Sequence, residues 1–117
     1  MTQLEILHNP RCSKSRQTLE LLKQNGHDPV VIEYLKHPLS KQQITQIIEK
    51  LSIQHPRLMM RTKEAEFSEL GLNHEDTSID AFIEAMVSHP KLIERPIVIT
   101  ENKARIGRPP ESVLEIL

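Results

Sequence analysis

QLEILHNPRCSKSR, residues 3–16, decides how the rest of the chain is read. Leu4 and Ile6 alternate with Gln3 and Glu5, the period of a half-buried strand over residues 3–8. Asn9-Pro10 breaks that strand, because the residue before a proline avoids the helical region. From Ser13 to Asn25 the pattern becomes helical, with Leu19, Leu21 and Leu22 on one face and Gly26 placed as a stop. Cys12, the one cysteine of the chain, falls where the strand hands over to the helix. There it meets the unsatisfied N–H groups of the first turn and the positive end of the helix dipole, both of which favour thiolate over thiol. Arg11, Lys14 and Arg16 add positive charge to the same turn. A lone cysteine is more often a small buried hydrophobe. Three neighbouring cations and no flanking apolar residue argue against that reading here.

Residues 29–34 (PVVIEY) hold three consecutive β-branched residues, the signal of a strand buried on both faces. Strand, helix and strand in about 30 residues make a βαβ unit, whose crossover is expected to be right-handed. Ser40 and Gln43 match a capping box, and Ile44, Ile47, Ile48 and Leu51 give the following helix its buried stripe. Shorter helical pieces are expected at residues 56–60 and 64–70, the second stopped by Gly71. Thr77 or Ser78 caps a further helix with Ile79, Phe82, Ile83, Met86 and Val87 on its apolar face, ended by His89-Pro90. Residues 97–100 (IVIT) and 104–106 read as a hairpin about the turn Glu101-Asn102-Lys103. Pro109-Pro110 opens a closing helix carrying Val113, Leu114, Ile116 and Leu117. This order predicts an α/β, thioredoxin-like fold in one domain over residues 1–117. Its four-stranded mixed sheet has a helical insert between the βαβ and ββα halves.

Composition narrows the function. Fifteen basic and sixteen acidic side chains leave a formal charge of −1, and aromatics are 3% of 117 residues. That balance speaks against nucleic acid as a partner, which calls for a basic field and stacking platforms. No internal disulfide is available to a single cysteine, so nothing points to an oxidising compartment. With no apolar signal core at the start and no stretch near 18 apolar residues, the expectation is a soluble cytoplasmic protein without a membrane partner. A monomer is the default. His27, His37, His55, His74 and His89 lack ligand spacing, so no metal site is expected.

Three arginines outside the opening stretch complete the candidate site. Arg61 follows a helical piece, Arg95 precedes Pro96 and a strand, and Arg108 lies in Gly107-Arg108-Pro109-Pro110. In a thioredoxin-like topology the loop before the third strand packs against the loop carrying the cysteine. That brings Arg95 to face Cys12, with the start of the last helix close by. Such folds commonly have a cis proline at this place, so Pro96 is expected to be cis. A thiolate among guanidinium forks suits a tetrahedral oxyanion, whose oxygens the forks bind while sulfur attacks the central atom.

HNPRCSKSR, the LMMRTK segment, ERPIVI and RIGRPPESVLEIL together resemble the ArsC family, the glutaredoxin- and glutathione-linked arsenate reductases, across nearly the whole chain. The likeness is closest to the short, YfgD-type branch, which ends soon after VLEI without the C-terminal tail of plasmid-type enzymes. The resemblance implies Cys12 as nucleophile, Arg61, Arg95 and Arg108 as oxyanion-binding residues, and His8 and Ser15 as residues that lower the thiol pKa. Asn9, Arg16 and Pro96 would support the loop, and Ser13 could be simply the N-cap. The implied reaction is attack of Cys12 on arsenate to give a thioarsenate adduct. Glutathione then enters as co-substrate, and glutaredoxin clears the mixed disulfide, with no bound cofactor. One point follows from the residues themselves: a chain with one cysteine takes its further thiols from outside. Cys12 and Arg16 are spaced C-x₃-R, unlike the C-x₅-R loop of thioredoxin-linked arsenate reductases.

Two other functions fit parts of the pattern. The same fold could serve a thiol oxidoreductase with a different substrate. It could also serve a regulator resembling Spx, which binds RNA polymerase. Many such regulators carry a C-x-x-C switch, and Ser15 stands here where the second cysteine would be.

Overall fold

The computed structural model describes residues 4–117. The chain falls into two compact units. One comprises the residues up to His37 together with Arg95–Leu117, and the other is Pro38–Glu94.

The first unit is a four-stranded sheet in the order β2-β1-β3-β4. Strands β1 (Glu5–Leu7) and β2 (Val30–Ile32) pair in parallel, with Ile6 opposite Val31. Strand β3 (Ile97–Ile99) runs antiparallel to β1, and β4 (Ala104–Ile106) runs antiparallel to β3. This is the mixed sheet of a thioredoxin-like α/β fold, whose βαβ and ββ-helix halves precede and follow residues 38–94 in the sequence. The opening strand is shorter than residues 3–8, and Gln3 lies outside the described residues.

Helix α1 (Ser13–Gln24) packs on the sheet through Leu22, which joins Ile6, Val98 and Val113 in a fully buried cluster. Leu4, Leu19 and Ile116 pack around it. The helix ends in a Schellman motif: His27 N–H donates to the Leu22 carbonyl and Gly26 N–H to that of Lys23. Gly26 sits at φ +83°, where a side chain would be strained.

The structure corrects several readings of the sequence. Strand β2 is at the sheet edge, with Val30 40% and Val31 43% exposed, so its β-branched run is not buried on both faces. The buried stripe of α1 is Ser15, Thr18 and Leu22, a helical i, i+3, i+7 series, while Leu21 is only half-buried. The closing helix (Pro110–Ile116) is of the tighter 3₁₀ type; it buries Val113 and leaves Leu117 exposed. Arg95–Pro96 is cis, as expected, and Arg108–Pro109 is cis as well.

The second unit holds α2 (Lys41–Leu51), α3 (Ala65–Glu69) and α4 (Ile79–Ser88) with short 3₁₀ turns at Pro56–Met59 and Pro90–Leu92. Ile44 and Ile47 of α2 and Phe82, Ile83 and Met86 of α4 are buried, and Phe67 lies tilted against Phe82. Ser78, rather than Thr77, caps α4 by accepting from Ala81 N–H, and Ile79 is 55% exposed one residue later. It shares the face of Phe82, Ile83 and Met86 by spacing, but it is the first residue of the helix, where that face is open to solvent. Ser40 and Gln43 form the reciprocal capping box at the start of α2. Ser40→Ala removes one acceptor from that start and is expected to cost about 1 kcal/mol, read as a lower urea midpoint. Among the described residues no helix is long and apolar enough to cross a membrane.

Candidate active site

Residues 8–16 form a turn that delivers Cys12 to the head of α1. Cys12 N–H donates to the Asn9 carbonyl, closing a four-residue turn with Asn first and Pro second, the positions these residues favour. The Asn9 side chain tightens it by accepting from Arg11 N–H at 3.0 Å. Arg16 reaches back from α1, donating to the Pro10 carbonyl at 2.7 Å. Cys12 is therefore the N-cap, with extended backbone (φ −94°, ψ 122°), and Ser13 is the first helical residue, not the cap.

This placement shifts sulfur toward the thiolate. Burial pushes the Cys12 thiol up, but the Ser15 N–H, the Arg95 guanidinium, the Lys14 N–H and the Arg108 guanidinium outweigh it, and its pKa is lowered. The N–H groups approach sulfur without closing a bond of cap geometry. Arg108 Nη2 lies 3.9 Å from Sγ, a long N–H···S contact, while its Nε donates to the Arg95 carbonyl at 2.9 Å. Cys12, Arg95 and Arg108 are thus brought together. Alkylation of Cys12 by iodoacetamide is expected to reach half its maximal rate below pH 8.5, the ordinary thiol range. A titration at the ordinary value would remove the electrostatic basis of the site. The linked stability has a definite sign. A lowered folded pKa adds stability that is complete above the unfolded value and is lost as pH falls through the folded one.

His8 and Ser15 form a buried pair behind the loop. His8 Nδ1 is 2.6 Å from Ser15 Oγ, which also accepts from Asn9 N–H at 3.0 Å. Burial lowers the His8 pKa, assisted by Arg16 and Lys23 and opposed by Glu33, so the ring is neutral near pH 7. Two proton arrangements satisfy the contact: the Ser15 hydroxyl donates to Nδ1, or Nδ1–H donates to Ser15 Oγ. Ser15 acts on sulfur through its backbone N–H, while its hydroxyl is turned to His8 and Asn9.

Arg61 belongs to the 38–94 unit. Its N–H donates to the Leu92 carbonyl, beside the Met60–Ile93 bridge, and its guanidinium pairs with Glu64 at 2.6 Å. Pro96 is buried, and its carbonyl accepts from Gly107 N–H at 2.9 Å. Among the described residues no group of three or more His, Cys, Asp or Glu is placed to hold a metal ion. Sequence reasoning passed over Thr18 and Gly107, which meet beside Pro96. The available signal was a second small polar residue, Thr18, three positions after Ser15 on the stripe that ends in Leu22.

Comparison with known proteins places these residues in a family. The ArsC family matches residues 7–116. The uncharacterized protein YfgD of Escherichia coli (strain K12) is 51% identical over 115 residues, 98% of this chain and 97% of that protein. An arsenate reductase of Haemophilus influenzae is 49% identical over 112 residues, 96% of this chain and 97% of that one. Among solved structures, an arsenate reductase from Vibrio cholerae superposes with a TM-score of 0.97 at 49% identity, covering 99% of this chain and 98% of that one.

Proposed function

Because the chain belongs to the ArsC family, we propose that it is an arsenate reductase that uses Cys12 as nucleophile and draws its electrons from glutathione and glutaredoxin. The observation that carries the reading is the grouping of one cysteine at a helix head with Arg95 and Arg108, its thiol held toward the thiolate.

The chemistry balances as follows. The Cys12 thiolate attacks As(V), an S–As bond forms, and one arsenate hydroxyl takes up a proton and leaves as water as its As–O bond breaks. The guanidiniums neutralise the remaining oxygens, which carry the charge that builds in the transition state. A glutathione thiolate then attacks Cys12 Sγ. The S–S bond forms as the S–As bond breaks, and the electron pair passes to arsenic, which becomes As(III) and leaves as arsenite after protonation. Glutaredoxin attacks the Cys12–glutathione disulfide and returns the Cys12 thiolate. A single cysteine makes the two outside thiols a requirement of stoichiometry. They also fit the reducing environment of the cytoplasm.

The test is NADPH oxidation coupled through glutathione reductase, with arsenate, glutathione and glutaredoxin. Arsenate-dependent oxidation that needs both thiols is expected. Its absence, with Cys12 still reactive at low pH, would transfer the site to another substrate of the same thiol chemistry.

A further inference from the structure

We propose that Gly107 is the positioning residue of the site: its missing side chain lets the Arg108 segment lie flush against α1 and Pro96, which sets both guanidiniums beside Cys12. The proposal rests on the reading of Arg95 and Arg108 as the oxyanion-binding pair. Gly107 is buried between β4 and the closing 3₁₀ helix. A Cβ built there would stand 2.7 Å from Thr18 Oγ1, 2.8 Å from Pro96 Cγ and 3.3 Å from Thr18 Cγ2. Carbon contacts are comfortable only at about 3.5–4.0 Å, so something would have to move.

The two walls are poor candidates for yielding. Thr18 is fully buried, and its hydroxyl donates to the Lys14 carbonyl at 2.8 Å. Rotating it away gives up a hydrogen bond inside the packed face of α1. The other wall is a proline ring, which cannot swing about a side-chain torsion. Gly107 itself is tied to the same wall, because its N–H donates to the Pro96 carbonyl. Its φ is outside the left-handed region that Gly26 and Gly71 occupy, so the requirement is for room and not for backbone freedom.

Arg108 is the next residue, and three polar contacts that orient it start from this junction. Its N–H donates to the Ile106 carbonyl, its Nε to the Arg95 carbonyl, and its Nη2 faces Cys12 Sγ. A shift of Gly107 away from Thr18 and Pro96 therefore carries Arg108 with it and loosens its bond to Arg95. The fold survives such a shift more easily than the site does. Three groups that gather around one anion are sensitive to displacements that a loop can absorb.

The experiment compares wild type with Gly107→Ala, Arg108→Ala, Thr18→Ala and Thr18→Ala/Gly107→Ala. Two quantities are read: the dissociation constant for inorganic sulfate and the pH profile of Cys12 alkylation. Gly107→Ala is expected to retain a native circular dichroism spectrum and to bind sulfate about tenfold more weakly, the loss of one charge-assisted contact. Its alkylation profile is expected to move to higher pH, as in Arg108→Ala. Adding Thr18→Ala takes away one of the two colliding walls and is expected to recover part of both losses. A merely destabilising substitution would lower the melting temperature and leave both readouts of the folded protein at wild-type values. If Gly107→Ala does not fold, the double variant is compared with Thr18→Ala by the same two readouts. Wild-type values for Gly107→Ala beside altered values for Arg108→Ala would overturn the proposal and leave the oxyanion reading standing. No change in Arg108→Ala would overturn that reading itself.

Discussion

Cys12→Ser is expected to reduce coupled arsenate turnover by at least about 10³-fold, the scale on which loss of a nucleophile registers. The physical reason is specific to where Cys12 sits. As the N-cap of α1 it combines two roles, a helix terminus and a reacting atom, and serine keeps only the first. A serine oxygen is a preferred N-cap acceptor for the N–H groups of the first turn, so the start of α1 and the melting temperature are expected to stay close to wild type. The hydroxyl stays protonated near pH 7, and the neighbouring guanidiniums cannot make it a comparable nucleophile. Sulfate binding is expected to persist, because Arg95 and Arg108 are untouched. The alkaline part of the stability profile that comes from the lowered Cys12 pKa is expected to disappear with the thiol. Comparable turnover by Cys12→Ser would end the covalent mechanism.

Leu22→Ala is expected to have the largest effect on stability, a loss of about 2–5 kcal/mol in urea unfolding. Leu22 has no exposed surface and lies in a cluster that joins α1, β1, β3 and the closing 3₁₀ helix, through Ile6, Val98 and Val113. Truncation leaves a cavity that those three side chains, each on a different element, cannot close together. Against a usual total of about 5–15 kcal/mol, that is a large share of the stability of the fold. The Schellman motif is unaffected, since it uses the Leu22 carbonyl. Leu21→Ala is the control. Half-buried one position away, Leu21 is expected to cost about 1 kcal/mol or less. Equal losses at the two positions would mean that α1 is packed in a different rotation.

The contrast between these leucines shows how far the sequence could be read. Apolar spacing located α1 and both of its ends, because Asn9-Pro10 and Gly26 punctuate it by backbone chemistry that needs no tertiary partner. It did not give the rotation of the helix, because the buried face begins with Ser15 and Thr18. Those hydroxyls are inside for local reasons: one is held by His8 and Asn9, the other by the Lys14 carbonyl. Hydropathy has no term for a polar atom satisfied in place. Strand β2 misled for the complementary reason. Three β-branched residues suit an extended backbone wherever it lies, and whether both faces are covered depends on strand order. The approach of Arg95 and Arg108 to Cys12 was legible from the topology around the proline. Gly107 was not, because a requirement for empty space has no signature in the residue that leaves it.

The exposed edge has a consequence for how the chain behaves in company. An edge strand with apolar residues facing solvent is a template on which another chain can add a strand. Val30 and Val31 supply the apolar surface, yet β2 is only three residues long. Pro29, immediately before it, has no N–H to contribute to a ladder, and the charged Glu33 follows. An incoming strand would find a greasy patch with very few hydrogen bonds to make. The sheet can thus leave its flank uncovered in a crowded cell without seeding strand-by-strand growth from it.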